Sequence, residues 1–153
     1  MMDRFFFLMF LCLSSCAGKT QDINLKIIDS YVDIIKSRND FNTSITEGSI
    51  YEISNNKIVG GFEFYEYFEE DKKELFRLEY ISNTEKSIIE NYFYKNNRLI
   101  YIEYIKDYEL NNVPKVIYIK NDLVEYTPIQ KKDLEKTLIK KGNDYLKSFI
   151  DSK

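Results

Sequence analysis

The feature that most constrains this chain is a change in hydrophobic period. From about Ser49 onward, apolar residues recur at alternate positions, in runs separated by short polar stretches. Alternation of this kind sends successive side chains to opposite faces of an extended strand. Ser49–Ser54, Ile58–Glu69, Lys73–Ser82, Lys86–Lys95, Arg98–Tyr108, Pro114–Lys120 and a short Leu123–Tyr126 all fit strands and are rich in β-branched and aromatic residues. Between them lie Asn55-Asn56, Glu70-Asp71-Lys72, Asn83-Thr84-Glu85, Asn96-Asn97, Asn111-Asn112 and Asn121-Asp122. Asn and Asp tolerate the positive φ that tight hairpins need. Connections this short cannot hold a crossover helix, so the strands must form an antiparallel meander.

A different period flanks the meander. In Asp22 to Arg38, Ile23, Ile27, Ile28, Tyr31, Ile34 and Ile35 recur at helical spacing, with charged residues between them. Asp40 to Gly48 reads as polar and irregular. Thr127-Pro128-Ile129-Gln130 carries the marks of a helix start: a capping hydroxyl, a proline at the first helical position and a capping-box glutamine. Leu134, Leu138, Tyr145, Leu146, Phe149 and Ile150 then define one helix face, with Gly142-Asn143 as a point where it could bend. The expected fold is α+β in one domain: an N-terminal helix, a curved antiparallel meander of six or seven strands, and a C-terminal helix.

The first residues belong to neither pattern. Arg4 and the N-terminal amine give a small positive region, and Phe5 to Leu13 is an uninterrupted apolar run. That run has the length of the hydrophobic region of an export signal and is far short of the roughly 20 residues a spanning helix needs. Leu13-Ser14-Ser15-Cys16 follows, and it resembles the lipobox of bacterial lipoproteins: an aliphatic residue, two small ones, then cysteine. The resemblance covers this segment alone. It implies cleavage before Cys16, a diacylglycerol thioether on its sulfur and acylation (palmitate or a similar chain) of the new amine. The organisation it implies is a signal peptide over 1–15, a lipidated terminus and tether over 16–21, and a domain over 22–153. Other readings of the two cysteines, Cys12 and Cys16, are a disulfide, a two-thiol metal site, or a plain signal or retained core segment. The disulfide would require Cys12 to be retained, and the metal site lacks ligands.

Two or more acyl chains anchor stably where one does so only marginally. The tether Ala17-Gly18-Lys19-Thr20-Gln21 spans roughly 20 Å when extended, which would keep the domain close to the bilayer. Residue two of the implied mature chain is Ala17 and not Asp, which by resemblance favours the outer membrane.

Composition narrows the chemistry. The formal charge is −3 and there is no histidine. A mildly acidic domain lacks the basic footprint of a nucleic-acid binder. Without histidine or a free thiol in the mature chain, the usual proton shuttle, nucleophile and commonest metal ligand are missing. We therefore expect no catalytic residue, no metal and no cofactor. Ala17 is the only alanine, and the bias to Ile, Lys, Asn, Tyr and Phe matches AT-rich codons, so part of the 16% aromatic content is compositional. Gly60-Gly61 lies within a strand pattern and marks a bulge or bend.

Carboxylate chemistry is the one enzyme class left. Glu63, Glu66, Glu69 and Glu70 crowd "FEFYEYFEE", and Glu79, Glu90 and Glu103 lie on later strands. Glu66 falls among the core phenylalanines, where burial would raise its pKa. Taking Phe62, Phe64, Phe68, Phe76, Leu78, Tyr80, Ile89, Phe93, Ile100, Ile102 and Tyr104 as core leaves Tyr65, Tyr67, Arg77, Glu79, Tyr92, Tyr94, Tyr101 and Glu103 opposite, beside Ile81, Ile88, Leu99 and Ile105. That mixed face is the candidate binding surface, since Tyr offers contact area at low entropic cost. The expected function is non-catalytic binding of a protein partner or an apolar ligand by a membrane-anchored accessory module. An immunity or inhibitor protein against a toxin or enzyme is the second reading, and a carboxylate-dependent hydrolase the third.

Overall fold

The computed structural model describes residues 24–71, 73–107 and 112–152. The export segment, Cys16 and the tether therefore lie outside the described residues. The chain divides into two units, Met1–Lys36 and Ser37–Lys153, which we take separately.

The described part of the first unit is helical, within helix α1 (residues 24–37). Val32 and Ile35 are buried, Ile28 and Tyr31 half-buried, and Ile27 and Ile34 exposed. The expected stripe was too broad: the buried face runs through Val32, and Ile27 and Ile34 flank it. A helix with this many isoleucines places some of them off the buried face.

The second unit is a seven-stranded antiparallel meander whose strand order follows the sequence. Its strands are β1 (Asn42–Glu52), β2 (Lys57–Glu69), β3 (Glu74–Asn83), β4 (Ile88–Tyr94), β5 (Leu99–Lys106), β6 (Lys115–Lys120) and β7 (Leu123–Tyr126), followed by helix α2 (Lys132–Asp151). The Asn and Asp turns do what their chemistry allows. Asn96 and Asn97, and Asn121 and Asp122, all take positive φ, the signature of two-residue type I′ hairpins. Lys95 and Arg98 close the first of these by exchanging backbone hydrogen bonds at 2.9 and 3.1 Å.

Two local readings need correction. Residues 42–48, expected to be irregular, form the first part of β1 and pair with Phe68 through Phe62. An edge strand is held by its backbone ladder and needs no buried face, so its sequence shows no alternation. The C-terminal helix begins at Lys132, and Lys131 makes no side-chain capping bond. Thr127 instead accepts the Ile129 N–H at 3.0 Å in a local turn. Residues 127–131 are not helical, and Ile129 enters the core before the helix starts.

The core lies between one face of the sheet and α2. Leu75, Leu78, Tyr92, Tyr94, Ile102, Ile117 and Leu138 are completely buried there. Gly142 does not bend the helix, which is continuous through it. It is a point of close approach to the sheet: a Cβ at this position would stand 2.7 Å from the Tyr92 ring and 2.8 Å from Leu99. The Tyr94 hydroxyl donates to the Gly142 carbonyl at 2.9 Å. Beside it Lys141 reaches the buried carboxylate of Glu90 at 2.9 Å, and that carboxylate also accepts the Tyr92 hydroxyl at 2.6 Å. Gly60 is a second close approach. It follows a register shift in which Val59 is the unpaired residue, and a Cβ on it would meet the Asn83 carbonyl.

Candidate functional site

Cross-strand register decides which of the expected binding residues share a face. Thr43, Tyr67, Arg77, Phe93, Tyr101, Tyr118 and Tyr126 are successive partners across all seven strands, so they form one row. Ile45, Tyr65, Glu79, Asn91, Glu103 and Val116 form the next row on the same face. Six of the eight candidates therefore stand together, on the face opposite α2.

Tyr92 and Tyr94 do not. They lie under α2, fully buried, and Phe93 and Ile89 take the face expected for them. The β4 segment IIENYFY is apolar on both faces, so hydrophobicity alone cannot orient it, and a slip of one residue inverts every side chain. Bulges account for two further differences. Phe68 pairs with Leu75 after Tyr67 pairs with Arg77, so Leu75 joins the core and Phe76 packs against Phe41. Tyr94 pairs with Leu99 after Phe93 pairs with Tyr101, which places Leu99 in the core. Ile88, partnered by Ser82, also falls on the α2 side.

Within the remaining face, burial separates two regions. Asn91, Phe93, Tyr101, Glu103 and Tyr118 are buried, whereas Tyr65, Tyr67, Arg77 and Glu79 are part-exposed. Arg77 organises the second group. Its guanidinium donates to Asn91 Oδ1 at 2.8 and 3.1 Å, pairs with Glu79 at 2.9 Å and stands 5.1 Å from the centre of the Tyr67 ring. Tyr67 stacks beside Tyr65 with centroids 6.5 Å apart. The Tyr65 hydroxyl donates to Glu63 at 2.6 Å, and that bond, with partial desolvation and the charges of Glu63 and Glu47, pushes its pKa up to about 12.

Glu47 stands directly opposite Glu63 across the β1–β2 ladder. The two carboxylates join Ser49, Gly61, Ile81 and Asn83 in lining an open cleft of about 450 Å³. Sequence reasoning did not find Glu47, Asn91 or Tyr118. Glu47 fell in the stretch read as irregular, Asn91 depends on β4 being oriented correctly, and Tyr118 joins the row through its pairing with Tyr101.

Several of the carboxylates are committed to neighbours. Glu69 accepts from Arg38 at 2.7 Å, Glu79 from Arg77 and Glu90 from Lys141 and Tyr92. Glu66 is half-buried on the α2 side, and the buried carboxylates are Glu90 and Glu103. Among the described residues no group of three or more His, Cys, Asp or Glu could hold a metal ion, and no helix is long and apolar enough to cross a membrane. Comparison with models of known families, with curated proteins and with solved structures found no match for this chain.

Proposed function

We propose that this chain is a lipid-anchored protein of a bacterial cell envelope, attached through Cys16, whose domain works by binding a protein partner and not by catalysis. Leu13-Ser14-Ser15-Cys16 behind its apolar run supports the anchor, and Ala17 supports the outer membrane. One observation carries the binding role: Tyr65, Tyr67, Arg77 and Glu79 form a part-exposed, mutually paired array beside an open cleft. Such an array is pre-organised, so docking on it costs little side-chain entropy. The acidic cleft also suits an inhibitor of a basic toxin, which would use the same surface.

Two measurements test the proposal. Fatty-acid labelling should mark the native chain and be lost in Cys16→Ala; continued labelling of that variant contradicts the anchor. A photo-cross-linker at Tyr65 should capture a discrete envelope protein, and the same group at buried Tyr94 should capture none. Equal capture from both positions, or from neither, contradicts the binding surface.

A further inference from the structure

The two edges of the sheet are built differently. β7 is four residues long and is followed at once by Thr127 and Pro128, whose ring nitrogen offers no donor. β1 runs for eleven residues, contains no proline and no lysine, and among the described residues pairs only with β2. Long edges carry a row of unpaired backbone donors and acceptors, and folded proteins usually blunt them with Lys, Pro or short length. β7 is blunted in this way, whereas β1 carries only its two glutamates and the register shift at Ile50/Tyr51.

The side chains along β1 specify what would fit. On the α2 side, the Phe62 ring lies over Gly48, where a Cβ would meet it at 2.5 Å. A strand laid against β1 would therefore bring one side chain onto an aromatic surface there. On the opposite face the neighbouring position is Glu47, exposed and facing Glu63. Like charges directly opposed across a ladder destabilise it, and a cation placed beside them would relieve that repulsion. At adjacent positions the edge thus offers an aromatic contact on one face, at Gly48, and an acidic one on the other, at Glu47. A second copy of β1 fits poorly. Self-pairing in a register that opposes the two copies of Glu47 would bring those carboxylates together beside Glu63 of each copy.

We infer that β1 is a strand-addition site for an extended protein segment in which basic and apolar residues alternate. This inference rests on the binding role proposed above and names its partner. Backbone hydrogen bonds to the free edge supply affinity, while Glu47 and the Phe62 ring over Gly48 supply side-chain selectivity.

Residue-resolved amide exchange on the full chain in detergent tests it. The probes are blocked peptides of about ten residues, the length of one strand addition: one alternates lysine with valine, the other glutamate with valine. The lysine peptide should slow exchange of β1 amides about tenfold or more, in the way that newly formed hydrogen bonds protect. It should leave β7 unchanged, and the glutamate peptide should do neither. Glu47→Lys should abolish the effect without lowering the melting temperature, since it replaces a like-charge pair with Glu63 by an opposite one, whereas Val124→Lys on β7 should retain it. Protection by both peptides, protection at β7 alone, or none at all overturns the inference. So does self-association through β1 in the absence of peptide. If the Tyr65 cross-linker still captures its partner from a chain carrying Glu47→Lys, the binding function stands and the edge site falls.

Discussion

β4 and β1 belong to the same sheet but are held by different forces. From Glu90 to Tyr94 every β4 residue is buried, on both faces. Along β1 most side chains are exposed, and its place is kept by the ladder to β2. A hydrogen-bonded ladder contributes modestly per bond because water competes for the same groups. Burial of large aromatic residues contributes more, roughly 1.5–3 kcal/mol for a fully buried side chain. Stability is therefore concentrated where α2 covers β3 to β6, and the β1 end is left free to meet another molecule.

The largest break in this contrast comes from Gly142→Leu. The new side chain has no room between α2 and the rings of Tyr92 and Leu99, and overpacking of a dense core costs about 1–3 kcal/mol or more. A clear fall in melting temperature is expected. The companion change Gly48→Ala displaces only the Phe62 ring at the edge, and should cost less than about 1 kcal/mol. Equal losses would show that the edge is packed as tightly as the core.

Lys141→Ala is the next test. It leaves the Glu90 carboxylate buried with the Tyr92 hydroxyl still donating to it. Because Lys141 is itself 40% exposed, water can partly replace it, and the loss should be about 1–3 kcal/mol by denaturant titration. Glu90→Gln with Lys141→Met removes both charges and should recover part of that loss.

Alkaline pH gives a smaller, graded effect. Burial, helped by the Glu90 charge, pushes the Tyr145 phenol up to about 12, and the Glu63 bond does the same for Tyr65. Burial also holds Tyr92 and Tyr94 well above the ordinary tyrosine range. A folded pKa raised above its unfolded value gives stability that is fully present below the unfolded pKa and lost as pH rises through the folded one. The contribution of these tyrosines should therefore be complete below about pH 10 and lost progressively from about 10 to 12 and above. Ultraviolet phenolate absorbance should show Tyr92 and Tyr94 ionising only as the chain unfolds.

The smallest structural effect belongs to Tyr65→Ser with Tyr67→Ser. Both side chains are part-exposed, so the melting temperature should stay close to that of the native chain while partner capture is lost. Retained capture would move the binding surface elsewhere.

These regions also differ in how legible they were in the sequence. The meander, its Asn and Asp hairpins and the flanking helices follow from hydrophobic period and turn chemistry, both of which are local. Tyr65, Tyr67, Arg77 and Glu79 were placed correctly because β2 and β3 alternate cleanly around them. β4 was inverted because Ile89, Tyr92, Phe93 and Tyr94 are apolar on both sides, and only pairing with Arg77 and Ile102 fixes its face. The first half of β1 went unread for the opposite reason, since an edge strand of Thr, Ser, Glu and Gly has no buried side to mark it. Gly142 showed its lack of a side chain but not the Tyr92 ring that needs the space. Bulges at Tyr67/Phe68 and Phe93/Tyr94 shift the register where no residue type announces them.

Native-state amide exchange on the unliganded chain addresses the contrast most directly. The account predicts that amides of β4, β5 and α2 exchange only through global unfolding, and that those of β1 open locally at least about 2 kcal/mol more easily. If β1 proves as protected as β4, its edge is not free, and the division between a stabilising half and a binding half is contradicted.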